Sequence, residues 1–229
     1  MMWFTADLHL GDTNILHDMD RPFDSVEEMN RKVIDAVNEC VAADDRLYIL
    51  GDFTYRLPLA EAMRLRERIE CQNVTLIRGN HDGDWEDPDV PQIWEDVRDY
   101  LEIAPGYAKG HRLVLSHYPM LSWNGKARGA IMLHGHIHSR GDRTNARNRD
   151  RERPIFRYDV GLDANEYKPV SRDQILSFFG LSGARATTKG AGTFVVVLAS
   201  SPALWRSLFC PCGAVECRRL KFASIEELP

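Results

Sequence analysis

At 229 residues, with 44% hydrophobic and 28% charged residues, the chain has room for one large domain, or one domain with an appendage, of ordinary soluble composition. A net charge of −5 argues against a general nucleic-acid coat protein and leaves room for a local basic patch. No apolar run reaches the ~18 residues of a membrane span, and the start, Met1 to Asp7, lacks the basic and apolar regions of an export signal. The five cysteines, an odd number, then suit reduced thiols, so the expected location is cytoplasmic.

The first strand is expected at residues 3–6, running into Asp7-Leu8-His9, whose polar pair would share one side of an extended backbone. A loop follows from Gly11 to Phe23, carrying Asp12, Asn14 and His17. Ser25-Val26-Glu27-Glu28 reads as a capping box. The helix it opens has Val26, Met29, Val33, Val37 and Val41 on one buried face. Residues 46–50 form the second strand and end in Gly51-Asp52. A second helix is expected over 58–70, with Pro58 at its start. The third strand, 74–77, runs into Arg78-Gly79-Asn80-His81-Asp82. Strand, helix, strand, helix, strand points to a layered α/β fold.

Residues 82–89 read as an acidic surface loop and 92–99 as a short helix. Residues 100–104 and 112–116 are expected to pair as antiparallel strands, the second ending in Ser116-His117. Strand 130–133 delivers His134-Gly135-His136-Ile137-His138, with His136 and His138 on one side if the backbone is extended. From Arg140 to Arg157 the chain turns basic and reads as a loop, before a last strand at 155–160. Ser171-Arg172-Asp173-Gln174 is a second capping box, opening a helix to about Phe179. After Gly180 the composition becomes linker-like, so 1–180 is read as the domain and 181–229 as an atypical extension with little fixed order. Its Cys210, Cys212 and Cys217 lack the fourth ligand of a structural zinc site, and its apolar run Phe194 to Leu198 could pack on the domain or on a second copy of the chain.

Five apolar strands thus end in a carboxylate, amide or imidazole, and in layered sheet proteins ligands bind beyond the carboxyl ends of the strands. Asp7, His9, Asp52, Asn80, His117, His136 and His138 supply the oxygen and nitrogen donors that two divalent ions require. No cysteine belongs to the set, which disfavours a closed structural zinc site. Such donors suit Mn, Fe, Zn, Co or Ni, with manganese an ordinary choice.

In their order, Asp7-x-His9, Gly51-Asp52, Gly79-Asn80-His81-Asp82, Ser116-His117 and Gly135-His136-x-His138 resemble the five motifs of the calcineurin-like metallophosphoesterases. The resemblance covers residues 3 to about 175. Arg21-Pro22-Phe23, His117-Tyr118-Pro119 and Trp123-Asn124-Gly125 further resemble a small bacterial and phage branch. The resemblance implies an α/β fold in which two β-sheets form a sandwich flanked by helices. It implies that Asp7, His9, Asp52 and His138 hold one metal and that Asp52, Asn80, His117 and His136 hold the other, with Asp52 bridging. It places His81 beside the metals as a catalytic group and Asp82 where it can orient His81. Asp12 departs from the branch, which is expected to carry His there; the departure touches a phosphate contact rather than the metals.

The reaction expected is phosphoester hydrolysis, probing toward a phosphodiesterase: a metal-activated hydroxide attacks phosphorus in line, and His81 protonates or hydrogen-bonds the leaving oxygen. The basic segment with Arg140 and Arg143 begins two residues after His138, and guanidinium groups contact phosphate well, so a nucleotide or other small phosphodiester is the expected substrate. Long nucleic acid is not expected, because little of the chain is left for a recognition domain. The alternative is a metal-binding scaffold for protein interaction that has lost catalysis, against which the retention of His81 with the full ligand set speaks.

Overall fold

The computed structural model describes residues 1–83, 85, 91–104, 112–140 and 143–181, all within the unit Met1–Ala184. The expectations for most of the 82–89 loop, for the turn at 105–111 and for the extension after Leu181, with its cysteines, fall outside the described residues.

In chain order the elements are β1 (Met2–Thr5), α1 (Asn14–Asp18), α2 (Val26–Cys40), β2 (Arg46–Ile49), α3 (Leu59–Glu67), β3 (Asn73–Ile77), β4 (Asp96–Arg98), β5 (Leu101–Ile103), β6 (Leu113–Leu115), β7 (Ile131–His134), α4 (Arg143–Arg149), β8 (Arg157–Asp159), β9 (Val170–Ser171) and α5 (Arg172–Phe178). One sheet has the order β4-β3-β2-β1-β9 and the other β5-β6-β7-β8. β1 to β4 run parallel, as do β6 to β8; β9 and β5 close their sheets antiparallel.

Alternation along each strand assigns side chains to layers. Leu47, Ile49, Val74 and Leu76 face Met29, Val33, Ile34 and Val37 of α2. Their neighbours Tyr48 and Leu50 turn the other way and meet Leu113, Leu115, Ile131 and Leu133 of the second sheet, forming the core between the sheets. Val114 and Met132 point outward again, onto Trp123 and Ala130. Each fully buried Leu, Ile or Val side chain contributes about 1.5–3 kcal/mol. The expected two-sheet sandwich flanked by helices is therefore the observed architecture.

The caps differ in one detail. Ser171 and Gln174 make the complete reciprocal pair, whereas Ser25 Oγ accepts from Glu28 N and the Glu28 carboxylate reaches past it to Asp24 N.

Two elements correct the sequence reading. Residues 92–99 do not form a helix. Asp96–Arg98 lies as a strand along the open edge of β3, pinned by Glu95 N to Val74 O at 2.9 Å and Arg78 N to Arg98 O at 2.8 Å. The free edge of a parallel sheet offers backbone partners that local periodicity cannot register. The 140–157 segment is not simply a loop, because α4 occupies its middle. α4 buries amides rather than hydrocarbon. Asn145 and Asn148, three apart and so on one face, both bond the β8 backbone. A third element, the short α1, lies inside the segment read as loop from Gly11 to Phe23. Among the described residues no helix is long and apolar enough to cross a membrane.

Candidate metal centre

The exits of β1, β2, β3, β6 and β7 converge. Backbone bonds couple them: Asp7 N donates to Gly51 O, His9 N to Asp52 O and Gly135 N to His117 O, each at 3.0 Å. The donor residues do not sit on extended backbone as the sequence reading supposed. Asp7, His9, Asp52, His136 and His138 have φ of 57°, 50°, 54°, 72° and 43°. Left-handed conformations of non-glycine residues cost of order 1 kcal/mol or more each and gather where a site needs them. The left-handed turns, rather than the alternation of an extended strand, aim these side chains inward. Two glycines make the convergence sterically feasible. A Cβ on Gly79 would collide with Asp52 Oδ1, and one on Gly135 would lie 2.7 Å from Asp7 Oδ2.

Asp7, His9 and His138 each present a donor atom within 4.8 Å of the others, and so do Asp7, Asp52 and His117. Asp52 Oδ2 lies 3.5 Å from His9 Nε2 and 3.5 Å from His117 Nε2. Asn80 Oδ1 is 3.0 Å from His117 Nε2, and His136 Nδ1 is 3.2 Å from the same atom. All seven residues singled out in the sequence therefore reach one place. Asp7 belongs to both acidic clusters, a centrality that the sequence motifs assign to Asp52 alone.

The imidazoles are held by their far nitrogens. His117 Nδ1 donates to Leu50 O at 2.9 Å. His138 Nδ1 donates to Asp163 Oδ2 at 2.9 Å, and His9 Nδ1 lies 3.1 Å from Asp12 Oδ2. Each such bond leaves Nε2 with its lone pair toward the centre. Arg21 braces the same wall: its side chain is fully buried, it grips Asp163 through Nε and Nη2, and it donates to the carbonyls of Asp7 and Leu8.

Burial pushes the Asp7 carboxyl up to about 8, with Asp159 and Asp52 adding to it and His138 opposing. Asp52 goes the other way. Burial raises it, but His9, His117 and the His81 amide together bring it to about 2. Asp163 also sits at about 2, burial again being outweighed, here by His138 and Arg21. One buried carboxyl without a sufficient positive partner is what a cation would resolve.

Asp82 does not orient His81. Its carboxylate accepts from the backbone amides of Asp52, Phe53 and Gly79 at 2.8–2.9 Å, splicing the β2 exit to the β3 exit. Burial raises it to about 6. His81 is fixed through its backbone, whose N–H donates to Asp52 Oδ1 at 2.9 Å. Its exposed ring packs against Tyr55, centroids 4.7 Å apart, and stands 5.5 Å from His9. Arg56 covers the Tyr55 ring at 5.0 Å, and Tyr118 lies against His117 and His136 on the opposite side. Partial burial, with His9 and Arg56, lowers the His81 pKa despite Asp52 and Asp12. Arg140 pairs with Asp20 at 2.8 Å, and Arg143 starts α4, exposed.

Residues 2–199 match the calcineurin-like phosphoesterase family. The chain belongs to that family. It is similar to an uncharacterized protein of Methanocaldococcus jannaschii, 32% identical over 76% of this chain and 89% of the relative. It is also similar to the gene 66 protein of Mycobacterium phage D29, 30% identical over 71% of this chain and 88% of that protein. A protein of unknown function from Aquifex aeolicus shares the fold, with a TM-score of 0.57 and 23% identity over 77% of this chain and 98% of the other.

Members of this metallophosphoesterase family use divalent metal ions, and the donor set fits them. His9 Nε2 is buried and has no hydrogen-bond partner among the described residues. An orphaned lone pair aimed between two carboxylates is costly unless something occupies the gap. Asp163 and the partnering of Asp12 escaped the sequence reading. A signal existed for Asp163: β8 runs into Asp159-Val160-Gly161-Leu162-Asp163, a sixth strand end of the same kind. Tyr55 and Arg56 carried none, since their part depends on where the rim folds, and Tyr118 was marked only as part of a motif.

Proposed function

We propose that this family member is a dinuclear phosphodiesterase that hydrolyses a nucleotide-type or other small phosphodiester. The observation that carries the reading is the placement of Asp52 Oδ2 at equal distance, 3.5 Å, from His9 Nε2 and His117 Nε2. A carboxylate oxygen equally distant from two imidazole nitrogens supports a role for Asp52 at both ion positions. Asp7, His9, Asp52 and His138 would hold one ion, and Asp52, Asn80, His117 and His136 the other. Two divalent ions held there supply an acidified water and a clamp on the phosphoryl oxygens.

The chain's own groups do the rest. Asp52 uses its second oxygen to hold the His81 amide, so His81 is tied to the residue that defines the centre. The exposed His81 ring meets the leaving oxygen and stabilises it by hydrogen bond or proton transfer. Arg140 and Arg143 supply cations for a substrate phosphate.

The test uses metal-free protein reloaded with Mn, Fe, Zn, Co or Ni and assayed on aryl phosphate mono- and diesters and cyclic nucleotides. Diester turnover exceeding monoester turnover with at least one ion is expected; monoester preference with every ion would overturn the diester reading. Arg140→Ala, Arg143→Ala and Arg147→Ala, compared on a nucleotide diester and a small aryl diester, test the substrate class. A rise in KM confined to the nucleotide, shrinking at high salt, is expected.

A further inference from the structure

We propose that Asp12 and Asp163 make the two ion positions unequal, so that the position of Asp7, His9 and His138 fills first and holds its ion more tightly. The inference rests on the dinuclear reading above. It starts from what stands behind each imidazole. His9 and His138 both have Nδ1 on a buried carboxylate, Asp12 at 3.1 Å and Asp163 at 2.9 Å. His117 has Nδ1 on the neutral carbonyl of Leu50. His136 turns Nδ1 itself toward the centre, 3.2 Å from His117 Nε2, and among the described residues neither of its ring nitrogens has a carboxylate oxygen within 4.0 Å. The first position adds the carboxylate of Asp7 where the second has the amide of Asn80. His9 is also buried, whereas Asn80 and His136 are exposed.

A carboxylate behind an imidazole fixes the tautomer with Nε2 free, raises the basicity of the ring and adds negative charge near the ion. Such partners are worth about 10–100-fold in metal affinity. The two carboxylates do not contribute equally. Asp163 is shared with the bidentate guanidinium of Arg21, which offsets much of its charge. Asp12 meets no Lys or Arg within 4.0 Å among the described residues. Asp12 is doubly anchored, because its Oδ1 also accepts from Asn14 N at 2.9 Å and Ile15 N at 3.4 Å. Asp12 is therefore a positioning residue for His9, and the larger share of the inequality depends on it.

Asp12→Asn separates this role from capping. The Asn oxygen can still serve the Asn14 and Ile15 amides, but its NH2 would then face His9 Nδ1 and demand the tautomer that puts a proton on Nε2. Asp12→Ser keeps a capping oxygen and removes the carboxylate.

The experiment titrates the metal-free full chain with Mn2+ by calorimetry and electron paramagnetic resonance. His136→Ala isolates the first position and His138→Ala the second. The expected result is a lower Kd in His136→Ala than in His138→Ala. Adding Asp12→Asn or Asp12→Ser should raise Kd about 10–100-fold in the His136→Ala background and under about threefold in the His138→Ala background. Metal-free melting temperatures of the Asp12 variants should stay within a few degrees of their parents. Equal affinities in the two backgrounds, a tighter site in His138→Ala, or equal sensitivity of both to Asp12 overturns the proposal. A wild-type chain that takes up a single Mn2+ in every titration ends the dinuclear reading, and the inequality with it; equal affinities in a chain that takes up two ions end the inequality alone.

Discussion

His9 and Asn145 are both almost fully buried polar side chains next to a strand exit, and they are completed in opposite ways. Asn145 donates from Nδ2 to Asp159 O at 3.0 Å and accepts at Oδ1 from Asp159 N at 2.7 Å, so the protein satisfies it from within. His9 is tied at Nδ1 by Asp12, while its Nε2 faces Asp52 at 3.5 Å and has no hydrogen-bond partner among the described residues. A buried polar group is normally paired. The neighbouring backbone completes Asn145, which serves the fold; in His9 the atom facing the two carboxylates is left without a partner, as a metal ligand would be. The strand-end rim is of the second kind and the α4 segment of the first. The basic segment looked functional in the sequence because arginines are conspicuous, yet its asparagines do the structural work. Arg149, besides its contact with Asp150, lies over Phe178 at 4.5 Å.

Changing Asp52 tests this contrast most severely. Asp52→Ala removes the oxygen that faces both imidazoles and the acceptor for the His81 amide. Both ions should be weakened together, and diester turnover should fall by more than the about 10²–10³-fold typical of one electrostatic contact. Metal content per chain is the decisive measurement. A variant that still holds two ions and turns over normally would remove Asp52 from the centre.

His81→Ala comes next. It should keep its metals and lose about 10²–10⁴-fold in kcat, most with a poor leaving group. Equal losses for good and poor leaving groups would mean that the ring only shapes the pocket with Tyr55.

Asn145→Ala is the matching change in the satisfied region. It leaves Asp159 N and O without their side-chain partner, although the carbonyl keeps a second donor in Asn165. Unpaired buried groups cost about 1–3 kcal/mol each. A stability loss of about 1–3 kcal/mol in urea unfolding is expected, with metal content unchanged. A loss of metal at full stability would place α4 inside the functional site and erase the contrast.

What was legible in the sequence follows the range of the interactions. Each strand-end motif is written within a few residues: an apolar run, then the donor, with a glycine just before Asp52, Asn80 and His136. The convergence of these residues and the sandwich were readable for that reason. The left-handed backbone at Asp7, His9, His136 and His138 was not, because alternation along an extended chain predicts the same pairs for a different reason. Asp163 was invisible as a partner because Arg21 lies 142 residues away and His138 lies 25. β4 was misread because an edge strand owes its shape to the sheet it joins. Asp82 was read by analogy with carboxylates that orient histidines; its three amide donors come from chain segments brought together only by folding.

The smallest expected effect concerns Arg140, where the two kinds of region meet. Its guanidinium is 2.8 Å from Asp20, and both side chains are more than half exposed. Exposed ion pairs contribute about 0.2–1 kcal/mol, so Arg140→Ala should hardly move the melting temperature. The same weakness makes the pair exchangeable. On the proposed phosphodiester reading, a substrate phosphate near His138 would compete with Asp20 for the guanidinium, and the pair would then weaken binding modestly. Asp20→Asn should therefore lower KM for a nucleotide diester by up to about fivefold, the upper end of that energy range. Arg140→Ala should raise it, and combining the two should give the Arg140→Ala value, because Asp20 then has no cation to withhold. Both effects should fade as salt screens charges beyond about 8–10 Å. If Asp20→Asn raises KM by itself, Asp20 serves the substrate directly. If Arg140→Ala leaves KM unchanged, the cation is a surface group and the phosphate contact must be sought elsewhere on the rim.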